Sequence, residues 1–268
     1  MKNFAEKYGP WAVIAGASEG TGRAFAHRVA AEGLNCILIA RREAPLQALS
    51  QQLQSQYGND CLSIAMDLAA EDAVDRITAA VGDREVGLYI SNAGADPYGS
   101  RFLDTGIDDW VGLINRNVHT VVRCCHHFAR QMRERKRGGI VLVGSGSCYG
   151  GASHMAVYAG AKAFDLCFGE GLWTELRPYG VDVLNLILGR TDTPAFRELL
   201  TEKGLPVPED LASPEDVAAV GLERLPHGPV HNWGQDDDEA GFAPTSAATR
   251  RTRIQFIDAA TKDVFGDH

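Results

Sequence analysis

The sequence lacks the features of several protein classes. It has no run of about 18 uninterrupted apolar residues, which a membrane-spanning helix requires. Its first ten residues include Lys2, Glu6 and Lys7 and no apolar segment of the signal-peptide type. Its 26 lysines and arginines are outnumbered by 35 aspartates and glutamates, which gives a net charge of −9. Such a chain has no general positive field for nucleic acid or an anionic membrane. We therefore expect a soluble, cytoplasmic protein that binds neither.

The six cysteines contain no Cys-x-x-Cys pair and no zinc-finger spacing. Most lie in apolar runs, which is typical of buried, reduced thiols in a reducing compartment. Cys124-Cys-His-His127 looks like a metal cluster, but four successive residues of a helix point around its whole circumference and do not form one site. The acidic run Asp236–Glu239 lacks the spacing of a calcium loop. We therefore predict no metal site.

Short apolar runs rich in β-branched residues alternate along the chain with longer stretches of helical periodicity. The predicted strands cover residues 11–16, 36–40, 61–68, 88–90, 139–143, 181–188 and 229–233, and the predicted helices cover residues 21–31, 43–56, 71–80, 107–137 and 158–177, with another helix N-terminus at Ser213-Pro-Glu-Asp216. Continuous apolar strands separated by helices indicate a parallel sheet covered on both faces. We therefore predict an α/β fold of the Rossmann type, with a doubly wound, mostly parallel sheet of seven strands.

Length and composition favour a single domain. The chain has 268 residues, of which 45 % are hydrophobic and 23 % charged, an ordinary globular balance. No linker, repeat or low-complexity tract interrupts the pattern before Thr191. We predict one domain over residues 1–268, in which residues 190–249 hold a variable loop region and the last strand, and residues 250–265 a C-terminal helix.

A glycine-rich turn, Gly16-Ala-Ser-Glu-Gly20-Thr-Gly22, follows the first predicted strand and leads into a helix. Glycine adopts positive φ readily and lets backbone N–H groups approach a pyrophosphate without an intervening Cβ. The start of the helix adds further N–H groups and the positive end of its dipole. This turn, placed between strand and helix, therefore predicts a dinucleotide-binding site.

The end of the second predicted strand indicates which dinucleotide binds. Chains that bind NAD usually have an Asp or Glu there, which accepts a hydrogen bond from the ribose 2′-OH. Here Arg41 and Arg42 follow Ala40, and two guanidinium groups suit a 2′-phosphate. We therefore expect NADP(H) as the preferred cofactor, with NAD(H) possible; a pair of solvated surface arginines is the alternative interpretation. Asp67, at the end of the third predicted strand, either meets the adenine edge or is an ordinary strand-end acid.

Tyr158-Ala-Gly-Ala-Lys162 opens the helix after the fifth predicted strand. A separation of four residues places the phenol and the ammonium on one helical face. A free tyrosine has a pKa of about 10, and a neighbouring ammonium favours the phenolate, so that such a phenol can exchange a proton near neutral pH. Ser145, thirteen residues earlier at the end of the fifth strand, is placed to hold a carbonyl or alcohol oxygen. The combination predicts proton transfer to or from a substrate oxygen.

These motifs resemble those of the short-chain dehydrogenase/reductase family over residues 10–195. The matching positions are the glycine turn (Gly16, Gly20 and Gly22), the Asn-Ala-Gly signature after the fourth strand (Asn92, Ala93 and Gly94) and the catalytic set (Ser145, Tyr158 and Lys162). Several positions depart from the family pattern, namely Ala15, Glu19, Gly144 and Leu188. Among them, Glu19 lies in the turn, and an acid beside phosphates is unfavourable unless it points outward.

The resemblance implies a fourth catalytic residue, an Asn in the central helix that holds a water in the proton relay toward the active-site Lys. Asn117 matches the family segment better than Asn115, and we expect it to take this role. Thr193 matches the threonine that binds the nicotinamide carboxamide. The full implied cofactor-binding set is Gly16, Ser18, Glu19, Gly20, Thr21, Gly22, Arg41, Arg42, Asp67, Leu68, Asn92, Ala93, Gly94, Tyr158, Lys162, Gly189, Thr191 and Thr193.

The resemblance also implies a mechanism and an assembly. Hydride would pass from NADPH to a carbonyl carbon, while Ser145 orients and polarises the oxygen and Tyr158 protonates it. Lys162 would favour the phenolate and hold the nicotinamide ribose. The family suggests a homodimer or homotetramer built on the long helices.

Ligands of parallel α/β sheets bind outside the carboxyl ends of the strands. Residues 95–101, residues 146–157 and the stretch after Gly189 should converge there. The predicted substrate-binding residues are Ser145, Tyr98, Tyr149, His154, Tyr158 and Phe196. This largely aromatic set favours a hydrophobic ketone, although Phe196 is equally suited to pack a lid helix and His154 to lie exposed in its loop.

Three functions follow, in order of preference. The first is an NADPH-dependent carbonyl reductase or alcohol dehydrogenase acting on a small-molecule carbonyl or alcohol. The second is an NAD-dependent alcohol dehydrogenase of the same family, and the third is a dinucleotide-binding regulator without chemistry. The complete Ser, Tyr and Lys set favours an enzyme, because a regulator has no use for an activated phenol.

Overall fold

The computed structural model describes residues 4–233, together with residues 251, 252 and 255. Its strands are β1 Trp11–Ala15, β2 Asn35–Ala40, β3 Cys61–Ala65, β4 Val86–Ser91, β5 Gly138–Ser145, β6 Val181–Leu188 and β7 Val230–Trp233. They form one sheet in the order β3-β2-β1-β4-β5-β6-β7, and every neighbouring pair is parallel. The predicted seven-stranded Rossmann-type fold is confirmed.

Helices cover both faces of this sheet. The α-helices of the described residues are α1 Phe4–Tyr8, α2 Gly20–Ala31, α3 Glu43–Tyr57, α4 Ala73–Val81, α5 Ile107–Ile114, α6 Thr120–Arg135, α7 Ala156–Leu176, α8 Pro194–Glu202 and α9 Pro214–Arg224. Successive side chains of a strand point to opposite faces. Ile14 of β1 accordingly packs in the core beneath α2, α3 and α9, and its neighbour Val13 packs in the core beneath α4 and α6. The sheet is therefore doubly wound.

The order of the strands reverses between β1 and β4, because the chain winds outward from β1 in one direction and from β4 in the other. At such a switch point the loops after the two strands diverge and leave a crevice at the carboxyl edge of the sheet. The glycine turn follows β1, and the Asn92-Ala-Gly94 segment follows β4. The topology thus brings two of the sequence motifs to the same edge.

Several predicted boundaries are displaced by one or two residues, and two elements differ more clearly from the prediction. The third strand ends at Ala65 instead of residue 68, because the Asp67 carboxylate accepts a hydrogen bond from the Ala69 N–H at 2.9 Å and turns the chain away from the sheet. The predicted helix over 107–137 ends at Arg135 and is interrupted by the π-helical segment Asn115–His119. The helix N-terminus at Ser213 is present, and the Ser213 hydroxyl caps it by accepting from the Asp216 N–H at 3.0 Å.

Parts of the C-terminal prediction lie outside the described residues. These are the acidic run at 236–239 and most of the helix predicted over 250–265. In the part of the chain that the structure describes, no helix has both the length and the apolar character needed to cross a bilayer.

Two glycines of α7 make a matched test of packing. A Cβ on Gly169 would lie 2.4 Å from Asn185 Oδ1, whereas a Cβ on Gly171 would meet nothing within 4 Å. Asn185 is buried and its amide donates to the carbonyls of Leu166 and Pro229. We predict that Gly169→Ala lowers the free energy of unfolding by about 1–3 kcal/mol through overpacking, and that Gly171→Ala raises it by about 0.5–1 kcal/mol through helix propensity. Urea unfolding of both variants measures the difference, and equal stabilities would contradict the packing of α7 on β6.

Candidate functional site

The glycine turn between β1 and α2 has no room for side chains at its glycine positions. Gly16 and Gly20 have φ values of +82° and +53°, which L-residues rarely adopt. A Cβ on Gly22 would lie 1.9 Å from the Gly16 carbonyl oxygen, so the turn closes only with glycine there. The Asn92 side-chain amide donates to that same oxygen at 3.1 Å, which joins the turn to the segment after β4.

The other residues of the turn differ in exposure. Thr21 is buried in the first turn of α2, and Ser18 and Glu19 are half-buried. Glu19 has an extended backbone immediately before the helix, and its side chain does not cap it. Its carboxylate instead forms an ion pair with Arg42. The acid that departs from the family pattern therefore points toward the end of β2.

Arg41 and Arg42 follow β2 directly and both are exposed. Arg42 is bound to Glu19, while Arg41 takes part in no ion pair among the residues that the structure describes. Asp67 is exposed and occupied by the turn after β3, and Leu68 is buried with its carbonyl accepting from the Thr120 hydroxyl at 2.7 Å. The two guanidinium groups are thus the cationic groups at the end of β2.

The segment after β4 is packed closely against β1 and against two helices. The N–H groups of Asn92 and Ala93 donate to the Ala15 carbonyl at 3.1 and 2.9 Å, which fixes the segment beside β1. A Cβ on Gly94 would lie 2.2 Å from the Asn117 Oδ1 and 3.1 Å from the Lys162 Nζ. Gly94 therefore lets the amide of one helix and the ammonium of another meet at this loop.

Asn117 lies in the π-helical segment between α5 and α6, and such segments are frequent at functional sites. It is fully buried; its amide nitrogen donates to the Leu113 carbonyl at 3.0 Å, and its Oδ1 has no partner in the described part of the chain. Asn115 faces elsewhere, and its amide donates to the Ala69 carbonyl at 3.5 Å. Of the two candidates, the structure thus places Asn117, and not Asn115, beside Lys162.

Two neighbours hold the Lys162 ammonium. Its Nζ donates to the Val143 carbonyl of β5 at 3.1 Å and to the Asp165 carboxylate at 3.3 Å, and only 5 % of its side chain is exposed. Tyr158 lies one helical turn earlier and is half-buried. Ser145 ends β5 two residues after Val143, and its hydroxyl accepts from the Ser147 N–H at 3.3 Å. β5 and α7 thus carry the predicted catalytic residues, and the bond from Lys162 to the Val143 carbonyl joins the two elements.

An aromatic wall lies beside Tyr158. Tyr98, Val157 and Tyr158 pack against a buried cluster that contains Trp110 of α5, and the rings of Tyr98 and Trp110 meet edge to face at 5.4 Å. The Tyr98 hydroxyl donates to Asp109 at 3.2 Å, and burial, together with Asp109, raises the pKa of Tyr98. Sequence reasoning missed Trp110; its spacing in an amphipathic helix indicates only a core residue.

The other predicted substrate residues are used differently. The Tyr149 hydroxyl donates to Asn232 of β7 at 2.7 Å, and its ring packs on a small cluster around Leu166. His154 is exposed at a left-handed position (φ +68°), and its imidazole bonds the Ser153 hydroxyl. Phe196 is half-buried in α8. The role of these three residues in binding a substrate stays a prediction.

The segment after β6 returns toward the glycine turn. The Thr191 hydroxyl donates to the Gly189 carbonyl at 3.4 Å. Thr193 begins α8, where its hydroxyl accepts from the Phe196 N–H at 3.2 Å. A Cβ on Gly20 would lie 3.1 Å from the Thr193 methyl group. Thr193 therefore lies over the turn in which the cofactor is predicted to bind.

Metal-ligating residues do not converge in the described ranges, which contain no group of three His, Cys, Asp or Glu side chains that could hold an ion. Cys124 and Cys125 lie on the buried face of α6, and His126 of the same helix is exposed. The Cys-Cys-His-His run thus points in different directions, as the helical periodicity predicts.

Known proteins are similar to most of the chain. The family model for short chain dehydrogenases matches residues 10–204. A 7β-hydroxysteroid dehydrogenase from Mediterraneibacter gnavus is 32 % identical over 222 residues, which cover 82 % of this chain and 84 % of that protein. The inactive hydroxysteroid dehydrogenase-like protein 1 of Rattus norvegicus is 34 % identical over 187 residues, 69 % of this chain and 57 % of that one.

Solved structures agree with the fold. A 7β-hydroxysteroid dehydrogenase structure matches with a TM-score of 0.81 and 28 % identity, covering 94 % of this chain and 98 % of that one. A short-chain dehydrogenase from Sphingobium yanoikuyae in complex with NADPH matches with a TM-score of 0.77 and 25 % identity, covering 97 % and 96 % of the two chains. The chain belongs to the short-chain dehydrogenase family, whose members are oxidoreductases that act on hydroxyl and carbonyl groups.

Proposed function

We propose that this protein interconverts a hydrophobic ketone and its secondary alcohol with NADP(H) as the cofactor. The observation that carries the proposal is the arrangement of Ser145, Tyr158 and Lys162 at the carboxyl edge of β5. The Lys162 ammonium is buried there between the Val143 carbonyl and Asp165. A buried ammonium one turn from a phenol favours the ionised phenol, which suits proton transfer and has no purpose in a purely structural protein.

The residues present fit a dinucleotide. A Cβ at Gly22 would fill the turn after β1, so backbone N–H groups are free to approach a pyrophosphate at the start of α2. Arg41 and Arg42 supply cations at the end of β2, where a 2′-phosphate is recognised. When bound, such a cofactor supplies or accepts a hydride.

The chain's own residues would handle the oxygen and the proton. The Ser145 hydroxyl holds the substrate oxygen in place, and the Tyr158 hydroxyl gives that oxygen a proton in reduction or takes one in oxidation. The Lys162 ammonium stabilises the phenolate that remains. Among the described residues the buried Asn117 Oδ1 has no hydrogen-bond partner, and it lies beside Gly94, so it can hold a water that returns the proton toward Lys162.

The substrate class is supported by the wall beside Tyr158. Trp110 is buried and Tyr98 packs on it edge to face, a surface that favours an apolar ring over a free sugar. The similarity to 7β-hydroxysteroid dehydrogenases at 32 % identity points in the same direction. We therefore place steroidal and other cyclic ketones first among the candidate substrates.

The proposal is tested by a screen of NADPH oxidation over aliphatic, cyclic, aryl and steroidal ketones, repeated with NADH. We expect turnover with NADPH on cyclic or steroidal ketones and slower turnover with NADH. Binding of NADPH without turnover on any ketone or alcohol would overturn the enzymatic proposal in favour of a dinucleotide-binding regulator.

The phenol of Tyr158 gives the sharpest prediction about chemistry. Tyr158→Phe removes one hydroxyl and keeps the ring that packs against the cluster containing Trp110. We expect kcat to fall by at least about 100-fold, the usual contribution of a general acid or base, while the Kd for NADPH changes little. The matched control is Tyr179→Phe, an exposed tyrosine beside Arg133, which should leave kcat unchanged. Wild-type turnover in Tyr158→Phe would refute the assignment.

The cofactor preference is tested at Arg41. Arg41→Asp replaces an exposed cation at the end of β2 with an anion. We expect the Michaelis constant for NADPH to rise tenfold or more, because a hydrogen bond to a charged group contributes about 1.5–3 kcal/mol. We expect the Michaelis constant for NADH to stay unchanged or fall. Arg130→Asp, an exposed change of the same charge on α6, is the control for net charge. An unchanged constant for NADPH would contradict the proposed preference.

The homodimer or homotetramer implied by the family also stays a proposal. Apolar side chains are exposed on α5 and α7, namely Ile107 at 65 %, Val111 at 45 % and Phe164 at 39 %. Helix faces of this kind are often covered by another copy of the chain, which supports the proposed assembly on the long helices.

A further inference from the structure

Lys162 and Asp165 form a buried ion pair within α7. Their side chains are 5 % and 6 % exposed, and the Nζ and Oδ2 atoms are 3.3 Å apart. The other carboxylate oxygen, Oδ1, is buried and has no hydrogen-bond partner in the described part of the chain. Lys162 is therefore the one hydrogen-bond partner of the Asp165 carboxylate in the described part of the chain. If Asp165 served only packing, an apolar side chain would be more stable at this buried position.

Burying an ammonium without a counter-charge costs several kcal/mol. The Val143 carbonyl and the Asn117 amide near Lys162 are neutral dipoles and carry no opposite charge. Asp165 supplies that charge from the side of Lys162 that faces into the protein. The carboxylate therefore balances the charge of Lys162, whose ammonium is held beside the sheet edge by the Val143 carbonyl.

We propose, on the basis of the function proposed above, that Asp165 is a positioning residue that sets the pH range of the reaction through Lys162. In the proposed reaction the Tyr158 phenol and the Lys162 ammonium are the two groups that can lose a proton, and the Asp165 carboxylate lies 3.3 Å from the ammonium. A nearby anion disfavours both losses, because each leaves the site more negative. Asp165 thus shifts both limbs of the pH–rate profile to higher pH, relative to a site without this negative charge.

Few other titratable groups face this pair. The Cys125 thiol of α6 faces Asp165, and burial, Cys124 and the Asp165 charge all raise the pKa of that thiol. Burial raises the pKa of the Asp165 carboxyl itself, and the Lys162 ammonium opposes the rise. On the side of Tyr158, Asp109 and Arg116 act on the neighbouring Tyr98. Of these groups, only Asp165 itself changes in the variants below.

The test compares pH–kcat profiles of ketone reduction and alcohol oxidation in Asp165→Asn and wild type. Asn keeps the size of the side chain and removes its charge. We expect both limbs to move to lower pH, with the limb that reports Lys162 moving by roughly one pH unit. The matched control is Glu170→Gln, a buried acid five residues further along α7, which should change neither limb.

The outcomes separate the possible roles. A profile that keeps its position in Asp165→Asn, whatever happens to kcat or Tm, would overturn the proposal and leave Asp165 a structural residue. Should Asp165→Asn fail to fold, Asp165→Ser is the same test with a smaller neutral side chain. Asp165→Glu keeps the charge and must restore the wild-type limbs; limbs displaced as in the neutral variants would refute a charge effect. Absence of turnover in the wild type would instead refute the proposed function itself.

Discussion

The Lys162 ammonium is buried at the carboxyl edge of β5, where it bonds the Val143 carbonyl and Asp165. Because a buried ammonium is tolerated only among polar partners, this one charge restricts what may surround it. Gly94 must lack a side chain so that Asn117 can approach. The π-helical segment that carries Asn117 serves the same requirement, since it turns the amide into the site at the junction of α5 and α6.

The sheet supplies the frame for this arrangement. Parallel strands end at a common edge, and the order of strands reverses between β1 and β4, so the glycine turn and the loop of Gly94 lie side by side. The Asn92 amide joins them by donating to the Gly16 carbonyl. A phosphate cradle and a proton-transfer site are therefore neighbours through topology, although about 140 residues separate Gly16 from Tyr158.

The one departure from the family pattern in the glycine turn has a local explanation. An acid close to phosphates is unfavourable, but the Glu19 carboxylate is paired with Arg42. The pair directs the negative charge away from the turn. Arg41 is left without an ion pair among the described residues, and is the cation that the Arg41→Asp comparison examines.

The local sequence pattern was sufficient to predict the strands, the glycine turn and the spacing of Tyr158 and Lys162. Periodicity, glycine conformation and helical spacing all depend on neighbours in the chain. Sequence alone predicted the seven-stranded fold on these grounds. Three features depended on tertiary contacts: the position of Asn117 beside Lys162, the Trp110 wall, and the bond of Tyr149 to Asn232. Each joins elements distant in the chain, so no local pattern encodes it. Asp165 lies between the two cases, since its spacing from Lys162 is visible in the sequence and its burial is not.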